Sequence, residues 1–162
     1  MFEDDPDDLD ATDLVLLRID ARTLSRKELA RSHVINLQEL HNSNWYAIRS
    51  TSTFFLIGYP KTLNFLEYET LQAKTTQIML AGSYKRPSVS EGCHELDVHN
   101  PKCLKSFDGL SGGPVFCVRA EIGISNPPKF CGMILRGGAE ANRIHFLGTS
   151  TILMAIENAR DA

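Results

Sequence analysis

Short stretches in which apolar and polar positions alternate with a period of two recur along the chain, each bounded by turn-forming residues. They predict strands at Leu14–Ile19, Trp45–Arg49, Thr53–Tyr59, Phe65–Tyr68, Thr76–Ala81, Cys93–Val98, Val115–Arg119, Phe130–Leu135 and Arg143–Leu147. Turns are expected at Asn42-Ser43-Asn44, Tyr59-Pro60-Lys61, Arg86-Pro87-Ser88, Asn100-Pro101, Ser125-Asn126-Pro127-Pro128 and Gly137-Gly138. Many short strands joined by such turns make an all-β antiparallel barrel or sandwich. Helical periodicity enters twice. Ser25-Arg26-Lys27-Glu28 has the capping-box pattern of a short helical turn. After Thr149 or Ser150, either of which could cap a helix, Ile152, Leu153, Ile156 and Ala159 form one apolar stripe able to dock on a barrel's outside.

The chain of 162 residues is sized for one domain, and 43% hydrophobic with 23% charged residues is the makeup of a globular protein. The longest apolar runs, Leu14–Leu17 and Phe54–Ile57, fall well below the ~18 residues of a membrane span, so no membrane partner is expected. Charge is uneven. Seven acids (Glu3, Asp4, Asp5, Asp7, Asp8, Asp10, Asp13) and no base occupy residues 1–13, while the remainder is mildly basic without a dense Lys/Arg cluster. This argues against a nucleic-acid partner. The acidic start lacks the features of an export signal, which favours the cytoplasm. Cys93, Cys103, Cys117 and Cys131 match no metal knuckle or redox pair, and are expected to be reduced thiols.

Candidate chemistry concentrates in Phe107-Asp108-Gly109-Leu110-Ser111-Gly112-Gly113-Pro114-Val115. Glycines around a serine let the backbone turn sharply, leave room at the hydroxyl, and can aim the amides of Gly109 and Ser111 at one oxygen. Gly109-x-Ser111-x-Gly113 also fits the nucleophile elbow of α/β-hydrolases. That elbow needs a helix after the serine, whereas Pro114-Val115-Phe116-Cys117-Val118 reads as a strand.

The strand-entering form resembles the nucleophile loop of trypsin-like (chymotrypsin-fold) serine peptidases. Asp13-Leu-Val-Leu-Leu-Arg-Ile is similar to that family's catalytic-aspartate strand, and Phe55-Leu-Ile-Gly58-Tyr-Pro60 to the strand and turn opening its second barrel. Gly132-Met-Ile-Leu-Arg-Gly137 resembles the strand lining its specificity pocket, and Ile144-His-Phe146 its closing strand. The resemblance implies an acidic leader over 1–12 and a partial peptidase domain over 13–162. That domain would comprise the end of a first barrel, a Greek-key second barrel and a C-terminal helix. It further implies Ser111 as nucleophile, Asp13 as orienting acid, Gly109 and Ser111 as oxyanion donors, and Leu135, Arg136 and Gly137 as substrate-binding wall, with a floor near Lys105-Ser106. The substrate would be a peptide or protein, with no cofactor and no metal.

Three departures change this picture. The family's general base is a histidine preceding the aspartate, yet His33, His41, His94, His99 and His145 all follow Asp13. His94 and His99 are assigned to a polar loop region and His145 to a strand, none of them facing Ser111. The chain is therefore expected to be truncated and nearly inert, with only ~10³–10⁴-fold over water left from binding and the oxyanion hole. The alternative is a catalytically dead binding module. Leu110 replaces the acid that pairs with a cleavage-released N-terminus in trypsin, so zymogen-style activation is not expected. Cys117 has no cysteine opposite it near Phe54, which weakens a disulfide framework. The strand Leu14–Ile19, lacking its barrel neighbours, is expected to expose an apolar edge, giving poor solubility or pairing with another chain.

Overall fold

A computed structural model describes residue 25 and residues 37–67, 72–101, 104, 106–119, 127–138 and 141–160. In chain order the elements are α1 (Leu37–His41), β1 (Ser52–Gly58), β2 (Phe65–Glu67), β3 (Gln72–Lys74), β4 (Ile78–Pro87), β5 (Cys93–Val98), β6 (Pro114–Arg119), β7 (Lys129–Gly138), β8 (Arg143–Gly148) and α2 (Thr149–Arg160). Six antiparallel strands close a barrel in the order β1-β4-β5-β8-β7-β6, while β2 and β3 form a separate two-stranded ribbon. The succession β6-β1-β4-β5 places the fourth barrel strand beside the first, which is the Greek-key order. The all-β barrel with a C-terminal helix is thus as expected.

Alternation sets the inside of the barrel. Phe54 and Leu56 of β1, Val115 and Cys117 of β6, Leu96 of β5, and Ile144 and Phe146 of β8 are all buried in one core cluster. At one end Trp45 closes the barrel. Its indole N–H donates to Thr149 Oγ1 at 2.8 Å and its ring meets Phe54, His94 and Phe146 with centroids 5.0 to 6.1 Å away. This packing corrects one expected strand, because Trp45–Arg49 gives way to a 3₁₀ turn over Tyr46–Thr51. Local β propensity yields to the gain from seating one indole across the barrel mouth.

Two expected turns are also strand. Pro87 ends β4 opposite His94, where a missing N–H is tolerated, and the strand is held to that length by Arg86 donating two bonds to Glu95, at 3.0 and 3.1 Å. Gly137 and Gly138 pair with Ile144 and Arg143 at the end of β7, so the turn falls beyond them. His94 belongs to β5 and the aromatic cluster rather than to a loop. The ribbon strand β3 and the turn α1 carry no periodic signal in the sequence. The expected strand Leu14–Ile19, most of the capping-box turn, and Lys105 lie outside the described residues, as do Asp13 and His33.

Candidate active site

The segment from Phe107 to Gly113 folds as two successive tight turns. Leu110 N–H donates to the Phe107 carbonyl at 3.1 Å, and Gly113 N–H to the Leu110 carbonyl at 3.0 Å. The third residue of each turn is a glycine with positive φ, +85° at Gly109 and +81° at Gly112. Asn100 and Asn142 are the non-glycine residues with positive φ among those described, so Asp108 and Ser111 have negative φ and both turns are type II. Glycine is required at each third position because a side chain there would strain the backbone.

Neighbouring elements hold this loop in place. Lys61 N–H, in the turn after β1, donates to the Asp108 carbonyl at 2.7 Å. Ile134 of β7 takes the Gly112 N–H on its carbonyl and gives its own N–H to the Gly113 carbonyl, both at 2.8 Å. Leu110 is buried and packs over Gly58, so the residue before the serine belongs to the core. Ser106 Oγ accepts the Asp108 N–H at 3.0 Å.

The amides of Asp108, Leu110, Gly112 and Gly113 are engaged. Those of Gly109 and Ser111 donate to no acceptor among the described residues. Because N–H and C=O are antiparallel across a trans peptide, pinning the Asp108 carbonyl on Lys61 turns the Gly109 N–H the opposite way. The Leu110 carbonyl, held by Gly113, does the same for the Ser111 N–H. Two unsatisfied donors therefore flank an exposed serine, an arrangement suited to an anionic or strongly polarised oxygen.

Ser111 borders an open cleft of about 620 Å³, lined mainly by Ile57, Tyr59, Gln77, Leu110, Pro114 and Phe116 beside the loop's glycines. Leu135, Arg136 and Gly137 follow Ile134 along β7, with Leu135 as the extra residue of a bulge between the Phe146 and His145 pairings. They do not line this cleft. Gly137 instead lies against the loop's far side, where a Cβ would sit 2.8 Å from Phe107 Cδ2, so the expected wall and the segment beside the expected floor are in contact.

No described histidine lines the cleft of Ser111. His41 Nε2 lies 3.3 Å from Glu157, His99 3.2 Å from Ser83 Oγ, and His145 Nδ1 3.4 Å from Ser88 Oγ. His94 Nδ1 sits 3.2 Å from the Tyr84 hydroxyl, and burial followed by the Arg49 charge pushes its pKa down to about 4. Burial, ahead of the contact with Tyr46, raises the Tyr84 phenol.

Cys93, Cys117 and Cys131 are buried thiols. A hydrogen bond with Cys131 lowers the Cys117 pKa, while burial raises that of Cys131. Cys117 does pair with Phe54, the position that carries no cysteine. Among the described residues no three His, Cys, Asp or Glu side chains are grouped to hold a metal, and no helix is long and apolar enough to cross a membrane.

The backbone partners Lys61 and Ile134 have no signature in the sequence, since any residue but proline offers the same N–H. Comparisons with protein-family models, with curated proteins and with solved structures give no match.

Proposed function

We propose that this barrel is the nucleophile-bearing part of a trypsin-like serine peptidase. The observation that supports the reading is the selective freedom of the Gly109 and Ser111 amides, in a loop where the other four described amides from Asp108 to Gly113 are engaged. In the proposed reaction Ser111 Oγ attacks a peptide carbonyl carbon and passes its proton to a general base. The carbonyl oxygen becomes an oxyanion accepting from Gly109 and Ser111, and collapse expels the protonated amine to leave an acyl-enzyme that water hydrolyses. Asp13 would orient the base. None of His41, His94, His99 and His145 lines the cleft, and without a base only slow, amide-assisted reactivity of Ser111 is expected.

A fluorophosphonate probe followed by mass spectrometry tests this. Slow labelling at Ser111, rising with pH and absent in Ser111→Ala, is expected. No adduct after prolonged incubation at alkaline pH would refute the nucleophile. Labelling within seconds at neutral pH would instead show that a base is present. A non-catalytic binding module is the second reading, favoured by the engagement of His41, His94, His99 and His145 elsewhere.

A further inference from the structure

β1 runs from one end of the barrel to the other, with the Ser111 loop over its last residue, Gly58, and the mouth closed by Trp45 at its start. At that mouth the inward positions turn polar. On β5 the residue two before the buried Leu96 is His94, and on β4 the residue two after the buried Gly82 is Tyr84. The Tyr84 hydroxyl lies 3.2 Å from His94 Nδ1. The 3₁₀ turn then brings a third ring and a cation over them. Arg49 follows Tyr46 by three residues, one 3₁₀ turn, so both lie on one side of it and the guanidinium folds back over the Tyr46 ring. Its carbon stands 3.8 Å from that ring's centroid and 5.5 Å from that of Tyr84, and its Nη1 donates to the Tyr46 carbonyl at 2.6 Å. Tyr46 is 41% exposed and Arg49 half-buried, so the group opens to solvent. Mouths of β-barrels are common places for small-molecule sites.

Charge decides what such a site would hold. On the side of the barrel, Lys85, Arg86 and Arg143 each meet a carboxylate of Asp97 or Glu95. No carboxylate of the described residues pairs with Arg49, whose charge instead bears on His94 and, after burial, helps keep that imidazole neutral at pH 7. Stacking covers a face of the guanidinium and fixes it, while its N–H groups lie in its plane and point from the edge, in the fork that matches a carboxylate. We infer that the barrel mouth is a binding site for a small organic carboxylate, with the oxygens on the edge of Arg49 and the apolar body against the Tyr46 and Tyr84 rings. With His94 neutral, Arg49 is the cation of the site, so a monoanion matches it better than a dianionic phosphate. Tyr46 stands edge-on to both Trp45 and Tyr84, at 5.5 and 6.1 Å, which holds in advance the rings that an apolar body would meet. The site lies at the far end of β1 from Ser111, and the inference does not rest on the chemistry of that serine.

The test is a titration of the full chain with benzoate, followed by amide and arginine side-chain NMR. Saturable shifts at Tyr46–Ser52, Tyr84, His94 and the Arg49 Nε–H are expected in the millimolar range, and neither benzyl alcohol nor inorganic phosphate should reproduce them. Arg49→Gln should weaken the binding roughly tenfold or more, since a charge-assisted pair is lost. Arg49→Lys, which keeps the charge and gives up the fork, should weaken it less, and it stands in if Arg49→Gln does not fold. Equal shifts with benzyl alcohol would overturn the inference in favour of a purely apolar hollow, and equal affinity for phosphate in favour of an unselective anion site. Absence of saturable shifts, or shifts unchanged in both Arg49 variants, would overturn it outright.

Discussion

Gly109 and Gly112 share a backbone conformation and differ in what surrounds them, so a matched pair of alanine substitutions isolates the contact that shapes the serine loop. At both positions a Cβ in the left-handed region costs about 1–2 kcal/mol. At Gly112 a Cβ would find nothing within 4 Å, and that penalty is the whole effect. At Gly109 it would lie 2.7 Å from the Tyr59 carbonyl oxygen and 2.8 Å from the Lys61 nitrogen. Both are backbone atoms, and no side-chain rotation relieves the overlap. The loop must back away from the end of β1 and give up the Lys61–Asp108 hydrogen bond, worth about 1 kcal/mol. The total for Gly109→Ala is about 2–4 kcal/mol, against about 1–2 kcal/mol for Gly112→Ala. For a domain of this size that is a fall in Tm of roughly 5–15 °C against roughly 2–8 °C, read by circular dichroism. Gly109→Ala should also slow probe labelling of Ser111 well beyond Gly112→Ala, since it releases the peptide that aims one donor. Equal Tm values for the two variants would refute the close approach of the loop to the turn after β1, and with it the aim of the Gly109 amide.

Four further outcomes are expected. Because the folded pKa of His94, about 4, lies below the unfolded value near 6.5, stability is full above pH 6.5, declines as pH falls through that interval and is flat below it. The ceiling is about 3 kcal/mol, and roughly half is expected since the ring is partly exposed to solvent; His94→Phe should flatten the profile in urea titrations between pH 7 and pH 4, and an unchanged slope would contradict this. Leu110→Asp places a carboxylate in the core, so it should unfold the protein at neutral pH and recover partly in mild acid, as followed by tryptophan fluorescence of Trp45. Glu95→Gln should lower Tm more than Asp97→Asn, because Glu95 is 3% exposed where it meets Arg86 and Arg143, while the Asp97 side chain, beside Lys85 and Arg143, is about half exposed to solvent. Titration with a thiol reagent should find at most one fast cysteine before unfolding and four after it, since Cys93, Cys117 and Cys131 are buried; two or more fast thiols in the native protein would contradict the burial.

The barrel strands were largely legible because inward positions repeat every second residue, as in Phe54, Leu56 and Val115, Cys117. The misreadings share a cause, namely partners distant in sequence. Trp45 and Tyr46 have the composition of a strand, and Thr149, more than a hundred positions later, draws that segment across the barrel mouth. Pro87 reads as a turn until the Arg86–Glu95 pair extends β4 to its end. At the site, Gly109, Ser111 and Gly112 announced a tight bend, since only glycine accepts the conformation two type II turns require. Which amides stay free was not legible. That depends on a Lys61 amide and an Ile134 carbonyl brought in by β1 and β7. The outward row Phe55, Ile57 and Phe116 was visible as apolar content, but its pairing into one face needs the register.

The pairing of Gly112 and Gly113 with Ile134 carries a consequence for biosynthesis. The serine leaves the ribosome well before Ile134 does, and barrel closure waits further for β8 to join β5 with β7. A nascent chain therefore carries Ser111 without these partners until Ile134 and then β8 have emerged, and the long separation of the barrel's strands makes that step slow. Whatever reactivity the hydroxyl possesses is withheld until β8 has been made and the barrel can close.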